Sequence, residues 1–168
     1  MTIPNRRVVN ALGVLACAGM MAFALYAQHI LLLDPCPLCV LQRLAVISLG
    51  IVFLAAALHD PAGWGSKVYA GLVAIPALAG IGIAGWHVRL QNLPPDQVPS
   101  CGPGLDYMLE TLPLTEVLGK VFQGSGECAE VVWQFLGLSI PGWVLVCLLG
   151  LGSVGVWNNL RRDGRPAG

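Results

Sequence analysis

The chain has 168 residues, of which 56% are hydrophobic and 11% are charged, and its formal net charge at pH 7 is zero. A soluble domain typically has about 25% charged residues, and the apolar residues here come in long blocks, so a large soluble core explains this composition poorly. Zero net charge without a basic stripe gives no reason to expect a nucleic acid partner. The composition indicates an integral membrane protein.

Four apolar runs cover residues 8–33, 39–58, 68–86 and 140–160, and Arg43 is the one charged residue in them. Each run has about the 20 residues that a helix needs to cross roughly 30 Å of hydrocarbon. Backbone inside lipid must satisfy its own hydrogen bonds, which favours helices over strands for runs of this length. We therefore predict an all-α, four-transmembrane-helix bundle forming a single membrane domain over residues 1–168, with spans at about 9–31, 38–58, 68–88 and 141–160.

The first run has an alternative interpretation as a cleaved signal peptide. Arg6 and Arg7 precede it, and residues 22–24 (Ala-Phe-Ala) offer a small-residue cleavage site. However, the run stays apolar as far as Leu33, and an even number of spans suits the basic residues at both ends. We favour a retained membrane helix.

The basic residues predict the orientation. With four spans both termini lie on one side, and that side carries most of the positive charge: Arg6, Arg7, Lys67, Arg161, Arg162 and Arg165. The positive-inside rule then makes both termini cytoplasmic. The predicted cytoplasmic parts are the loop at about 59–67 and the tail 161–168; the predicted outward-facing loops are at about 32–37 and 89–140.

The second outward-facing loop contains one amphipathic pattern. Its apolar residues follow helical spacing: Leu114, Val117, Leu118, Val121 and Phe122. Pro113 suits the first turn of such a helix. The helix either packs on the other helices or lies in the membrane surface, and we slightly favour the surface because the loop is too small for a core of its own.

The six cysteines fall into two classes. Cys17 and Cys147 lie in the middle of spans and are expected to be small buried hydrophobic residues. Four others lie on the predicted outer side, where disulfides persist: Cys36, Cys39, Cys101 and Cys128. Four cysteines allow three pairings, and the close spacing of Cys36 and Cys39 favours a local pair, which leaves Cys101 with Cys128.

The Cys36–Cys39 pair is expected to be redox-active rather than structural. A bridge across so short a loop constrains the unfolded chain very little. A zinc site would need two more ligands, which Cys101 and Cys128 could supply, but we favour no metal. Val40 stands where a c-type haem site requires histidine. The pair opens a predicted helix, whose positive end favours a thiolate.

Arg43 follows Cys39 by four residues, so it shares a helix face with both cysteines. An arginine at this depth costs a few kcal/mol unless it faces a partner or reaches the interface. One interpretation is that Arg43 extends to the headgroups. We favour the other, in which it stabilises a Cys39 thiolate and binds an oxygen of an electron acceptor.

Together these features resemble the disulfide bond formation protein B (DsbB) family, the membrane partner of the periplasmic oxidant DsbA. The resemblance covers nearly the whole chain, and its local motifs are Cys-Pro-Leu-Cys at 36–39 followed by Arg43, Trp-His-Val at 86–88, Gly-Glu-Cys-Ala-Glu at 126–130 with Trp133, and Phe-Leu-Gly-Leu at 135–138 with Pro141 and Trp143. Where the family often has an acid before the arginine, this chain has Gln42.

The resemblance implies a protein-disulfide oxidoreductase of the bacterial inner membrane, a quinone-reducing thiol oxidase whose cysteine loops are periplasmic. A DsbA-like partner would pass electrons to Cys101 and Cys128, then to Cys36 and Cys39, and finally to ubiquinone or menaquinone from the membrane pool. Cys39 would be the thiolate that faces the quinone. The remaining matches are quinone-contacting residues of the family: Arg43, His87 and Trp133. For His87 and Trp133, a place in the aromatic belt at the membrane interface is the alternative.

Three other functions stay open from the residues alone. A reductant conduit would carry electrons outward and place reactive cysteines within the spans. A vitamin K epoxide reductase-like enzyme would have its Cys-x-x-Cys in a late span. A non-catalytic assembly factor would use both disulfides as structural links, so Arg43 would be replaceable without loss of function.

Overall fold

The computed structural model describes residues 5–94, 96–98, 105–124 and 126–161. In this part of the chain, four helices are long and apolar enough to cross a membrane: α1 (Arg6–His29), α2 (Pro37–His59), α3 (Trp64–Gln91) and α7 (Ile140–Leu160). The predicted four-helix membrane bundle is confirmed. The largest difference is in α3, which extends the expected 68–88 span at both ends; where the membrane begins and ends along these helices stays a prediction.

Small residues let the long helices approach closely. The Phe53 ring of α2 lies between α1 and α7, and a methyl group added at Gly13 or Gly155 would stand 2.9 or 2.7 Å from that ring. Such close packing is how helices associate in lipid, where burial of apolar surface gives little driving force. The outward side chains are apolar: Leu15, Ile51 and Ile75 are 67%, 61% and 68% exposed. This apolar outer surface suits hydrocarbon.

A buried polar cluster joins the start of α1 to the end of α7. The guanidinium of Arg6 donates to the carbonyl oxygens of Pro61, Asn158 and Arg161 at 2.8, 3.2 and 2.6 Å. The Nδ2 of Asn159 donates to Asn10 Oδ1 at 3.2 Å. From the sequence, Arg6 was only one of the positive charges that predict the orientation in the membrane. In the structure its side chain also joins three segments of the bundle.

Between α3 and α7, the described residues form three short helices, α4 (Leu105–Thr111), α5 (Leu114–Gln123) and α6 (Gly126–Ala129). α5 is the predicted amphipathic helix, with Pro113 as its N-cap rather than inside its first turn. Val117 and Val121 are buried in a cluster with Cys36, while Phe122 is 50% exposed. One face of α5 therefore packs against the cluster around Cys36. The Phe122 side chain remains exposed, where it can contact the membrane surface.

A two-stranded hairpin precedes α7, formed by β1 (Gln134–Phe135) and β2 (Leu138–Ser139). Its turn residues, Leu136 and Gly137, both have positive φ, at 52° and 80°. Positive φ at both positions is typical of the tight turns that suit the twist of a hairpin, and glycine adopts it without strain. This hairpin was not predicted from the sequence, because a leucine such as Leu136 is unusual in a turn that requires positive φ.

Candidate functional site

The Cys36–Cys39 pair stands at the N-terminus of α2. Cys36 is the N-cap and Pro37 opens the helix, since its fixed φ fits the first turn and its missing N–H is not needed there. Cys39 lies in the first turn, and its Sγ is 2.9 Å from Cys36 Sγ. As expected from their spacing, the two sulfurs are close enough to exchange a proton or to form a disulfide.

Cys128 lies next to this pair. α6 carries Cys128 with its side chain fully buried, and α6 packs against α3. The Sγ atoms of Cys36 and Cys128 and a ring nitrogen of His87 all lie within 4.8 Å of one another. Cys101, which was predicted to pair with Cys128, lies outside the described residues. The structure therefore places one cysteine of the second loop beside the first pair, as exchange between them requires.

The protonation of Cys36 differs from that of an exposed thiol. Hydrogen bonding to the Cys128 and Cys39 sulfurs, together with burial, raises the pKa of the Cys36 thiol well above its ordinary value. Cys36 therefore keeps its proton and donates it toward a neighbouring sulfur. Because Cys39 stands in the first turn of α2, near the positive end of the helix dipole, it is the better-placed acceptor.

An apolar cavity of about 440 Å³ opens on the other side of Cys39. Its volume and mainly apolar lining, with a few polar groups, are those of a small-molecule site. The cavity lies between α1, α2, α7 and the hairpin; besides Cys39, its polar and aromatic lining residues include Gln42, Arg43, Trp133, Phe135 and Trp143. Cys39 is thus shared between the cysteine cluster and the cavity.

Arg43 is fixed in this cavity by α1. Its Nη1 donates to Gln28 Oε1 at 2.5 Å and its Nη2 to the carbonyl oxygen of Ala24 at 3.1 Å. Two bonds to one neighbouring helix hold the guanidinium beside the cavity instead of letting it extend to the headgroups. Gln28 was not predicted as a site residue. The available signal was that Gln28 is a polar residue near the outer end of an apolar span.

Trp133 also lines the cavity, within a row of aromatic rings. Its ring centroid lies 5.6 Å from that of Phe23 and 6.1 Å from that of Phe135, and the Phe135 ring lies 6.1 Å from Trp143. The Trp143 indole donates to the Phe135 carbonyl oxygen at 3.0 Å, which ties the hairpin to α7. The hairpin therefore positions flat apolar rings against the cavity.

His87 lies beside Cys36. Its side chain is 2% exposed and its Nε2 is 3.8 Å from Cys36 Sγ, and it is not among the residues that line the cavity. Its predicted contact with a quinone stays a prediction, and the structure adds a position next to the cysteine pair. Its ring is buried among the helices, which argues against the alternative in the aromatic belt.

Gln42 is a site residue that the sequence analysis noted only as a departure from the family pattern. Its side chain is 4% exposed, and its Nε2 lies 3.0 Å from His87 Nδ1. Gln42 also lines the cavity. It therefore links the cavity wall to the histidine beside Cys36.

The two cysteines within spans have different surroundings. Cys17 is 3% exposed in the bundle core, as predicted. Cys147 is only half-buried and lines the cavity, where the sequence analysis expected a fully buried residue. Cys147 is only half-buried because the hairpin and α7 leave a space beside α1. The sequence pattern does not indicate this space.

Known proteins resemble this chain along nearly its whole length. The family model for disulfide bond formation protein DsbB matches residues 6–158. The disulfide bond formation protein B of Nitrosococcus oceani is 58% identical over 162 residues, covering 96% of this chain and 95% of the relative. The chain belongs to the DsbB family. Further DsbB relatives come from Methylococcus capsulatus, 50% identical over 164 residues (96% and 100% covered), and Hahella chejuensis, 53% identical over 158 residues (94% and 96% covered).

Membership in the DsbB family confirms the resemblance drawn from the motifs. It gives the chain a disulfide oxidoreductase role in disulfide bond formation. The four long apolar helices make it a multi-pass membrane protein. The reductant conduit and the non-catalytic assembly factor are not favoured.

Proposed function

We propose that this chain is a quinone-reducing thiol oxidase that reoxidises a DsbA-like periplasmic dithiol protein. The observation that carries the proposal is the position of Cys39. It lines the apolar cavity, while its partner Cys36 faces Cys128 and lies 2.9 Å from Cys39, measured between the sulfurs. Electrons can thus enter from one side of the pair and leave from the other.

The entry steps are thiol–disulfide exchanges, each of which breaks one S–S bond and forms another. A thiolate of the reduced partner attacks Cys101 of the Cys101–Cys128 disulfide, which gives a mixed disulfide and releases Cys128 as a thiolate. Cys128 attacks Cys36 of the Cys36–Cys39 disulfide, which releases Cys39 as a thiolate. The placement of Cys128 within 4.8 Å of Cys36 supports this second step.

The remaining exchanges return the loop to its starting state. The second thiol of the partner attacks the mixed disulfide, so the partner leaves oxidised and Cys101 is freed. Cys101 then attacks Cys128 of the Cys36–Cys128 disulfide, which restores the loop disulfide and leaves Cys36 reduced. Two electrons now reside on Cys36 and Cys39. Because Cys36 holds its proton, the thiolate of this pair is Cys39.

The cavity residues fit a quinone ring. When bound there, ubiquinone or menaquinone supplies an acceptor for two electrons and two protons. Arg43 offers N–H donors beside the cavity, which suit a carbonyl oxygen and stabilise a neighbouring thiolate. Trp133 and Phe135 offer flat faces that suit an aromatic ring. His87 lies beside Cys36 and is proposed to orient the exchange there, while its contact with the quinone stays a prediction.

The energetics require an acceptor of high potential. DsbA is a strong oxidant at about −120 mV, and each 30 mV is worth about 1.4 kcal/mol for two electrons. A glutathione-like acceptor would be reduced unfavourably by such a donor, whereas a membrane quinone can accept its electrons. This contrast is why we propose a quinone from the lipid phase rather than a soluble acceptor.

The proposed location is the bacterial inner membrane, with both termini in the cytoplasm. Arg6 and Arg161, at the ends of α1 and α7, then lie on the cytoplasmic side, and the cysteines at the start of α2 and in α6 lie on the periplasmic side. This orientation follows the positive-inside rule. It also exposes the cysteine side to the compartment in which disulfides persist.

The test is quinone reduction by the purified chain in detergent, with a reduced DsbA-type protein as the electron donor. Loss of oxidised quinone absorbance is followed for the native chain, for Cys39→Ser and for Cys17→Ala as the control. We expect turnover in the native chain and in the Cys17 variant, and none in Cys39→Ser. Turnover that survives in Cys39→Ser would overturn the proposal.

A further inference from the structure

The cluster of Cys36, Cys128 and His87 has the donor set of a soft-metal site. Two thiolates and one imidazole are ligands that zinc prefers, and three protein ligands leave the fourth position open. From the sequence no metal was favoured, although Cys101 and Cys128 could supply two further ligands to the Cys36–Cys39 pair. In the structure Cys128 and His87 lie beside Cys36, and one ligand atom from each of the three residues lies within 4.8 Å of the others.

The spacing of these atoms suits tetrahedral coordination. With Zn–S near 2.3 Å and Zn–N near 2.0 Å, neighbouring ligand atoms stand about 3.5 to 3.8 Å apart. The measured distance between Cys36 Sγ and His87 Nε2 is 3.8 Å. The other two pairs of ligand atoms lie within 4.8 Å, so adjustments of about 1 Å or less close the cluster around one ion.

The surroundings also favour a divalent ion. Two thiolates and a neutral imidazole around a divalent cation form a neutral complex, which a buried site tolerates far better than a net charge. The Gln42 side-chain amide lies 3.0 Å from His87 Nδ1. With its oxygen turned toward that nitrogen, the amide accepts the Nδ1–H and leaves Nε2 free to bind the ion, which is how metal-binding histidines are usually fixed. Two exposed acids, Glu127 and Glu130, lie near Cys128 in the sequence and add negative charge to this segment.

We propose that the reduced chain binds one soft divalent cation, Zn²⁺ or Cd²⁺, through Cys36 Sγ, Cys128 Sγ and His87 Nε2. Oxidation of either cysteine removes a thiolate, so the site exists only in the reduced chain and the bound ion blocks disulfide formation there. Hard cations such as Mg²⁺ and Ca²⁺ prefer oxygen ligands and are excluded. The site requires only reduced cysteines, so it is independent of the proposed quinone reaction.

The test is a titration of the reduced chain with Cd²⁺ alone, in detergent and without oxygen, followed by the ultraviolet charge-transfer absorbance of Cd–thiolate bonds. We expect saturation at one Cd²⁺ per chain, no band in the oxidised chain, and an unchanged titration in Cys17→Ala. His87→Ala should weaken binding by more than about tenfold, and Cys128→Ser should remove most of the band.

Cys101→Ser serves as the second control, because Cys101 is not one of the proposed ligands. Loss of the band in this variant, or an unchanged affinity in His87→Ala, would overturn the assignment. X-ray absorption at the cadmium edge checks the native chain without any substitution. Two sulfur neighbours with a nitrogen ligand support the site, whereas a shell of four sulfurs contradicts it.

Discussion

At the scale of single residues, the two sulfurs of the Cys36–Cys39 pair have different surroundings. Cys36 lies with Cys128 and His87, and Cys39 lies on an apolar cavity with Arg43. A pair with identical surroundings would have no preferred direction of exchange. Because the neighbours differ, the two sulfurs have separate roles in the proposed reaction. Cys36 receives the attack of another cysteine, and Cys39 passes electrons on.

Arg43 tests this separation of roles. Arg43→Met removes the charged donors beside the cavity; a hydrogen bond to a charged group is worth about 1.5–3 kcal/mol, so quinone reduction should fall about 10- to 100-fold. Exchange between Cys128 and Cys36 should slow less, because there Arg43 acts only on the leaving Cys39 thiolate and has no quinone oxygen to bind. Steady-state quinone kinetics measure the first effect and rapid-quench trapping of the mixed disulfide measures the second.

Gln28→Leu is the matched variant for the arginine. It leaves the guanidinium in place but removes one of its two bonds to α1, so its loss of quinone reduction should be smaller than that of Arg43→Met. Equal losses in both variants would mean that the charge itself contributes nothing. An equally slowed exchange in Arg43→Met would contradict the separation of the two sides.

At the scale of elements, close helix packing depends on particular glycines. In α7, a methyl group at Gly155 would stand 2.7 Å from the Phe53 ring, whereas one at Gly150 would meet nothing within 4 Å. The two positions lie in the same helix and gain the same helix propensity from alanine. Alanine substitutions at Gly155 and Gly150 therefore separate the effect of close packing on stability from the effect of helix propensity.

Gly155→Ala should destabilise the bundle by about 1–3 kcal/mol, because overpacking forces Phe53 and its neighbours to move. Gly150→Ala should be neutral or slightly stabilising. Unfolding of both variants in mixed detergent micelles, followed by circular dichroism, measures the difference. Similar stabilities for the two variants would show that α1, α2 and α7 are not packed as closely as the structure has them.

The hairpin makes a second prediction at this scale. Gly137 has a φ of 80°, and alanine there strains a turn that holds Phe135 and Trp133 at the cavity. Strain of this kind costs of the order of 1–3 kcal/mol, and we expect Gly137→Ala to raise the KM for quinone more than the KM for the DsbA-type donor. Gly150→Ala is the control, and an unchanged ratio of the two KM values would rule out a positioning role for the hairpin.

Much of the fold and part of the site could be predicted from the sequence. A long apolar run is almost enough by itself to predict a membrane helix, because in lipid the backbone must form all its hydrogen bonds within the segment. The sequence could place Cys36, Cys39 and Arg43 together because they lie within two turns of one helix, while their roles stay proposals. Gln28 and the position of His87 were missed because they depend on which faces of different helices meet, and a sequence pattern does not determine that.

At the scale of the whole molecule, the bundle is polarised along its axis. One end holds the buried polar cluster of Arg6, Asn10, Asn158 and Asn159, and the other holds the cysteines and the cavity. A charged, hydrogen-bonded end and a redox end suit a protein that exchanges electrons on one face of a membrane only. The predicted orientation places the redox end in the periplasm.

Two exposed positions test this orientation. Trp64 at the start of α3 is 78% exposed and Leu136 in the hairpin turn is 79% exposed, and the proposed topology places them on opposite sides of the membrane. In a chain whose six cysteines are changed to serine, Leu136→Cys should react with a membrane-impermeant maleimide in intact spheroplasts. Trp64→Cys should react only after the membrane is permeabilised, because the reagent cannot reach the cytoplasmic side. Labelling of Trp64→Cys in intact spheroplasts would reverse the orientation and place the cysteine cluster in the reducing cytoplasm, where its disulfides could not persist.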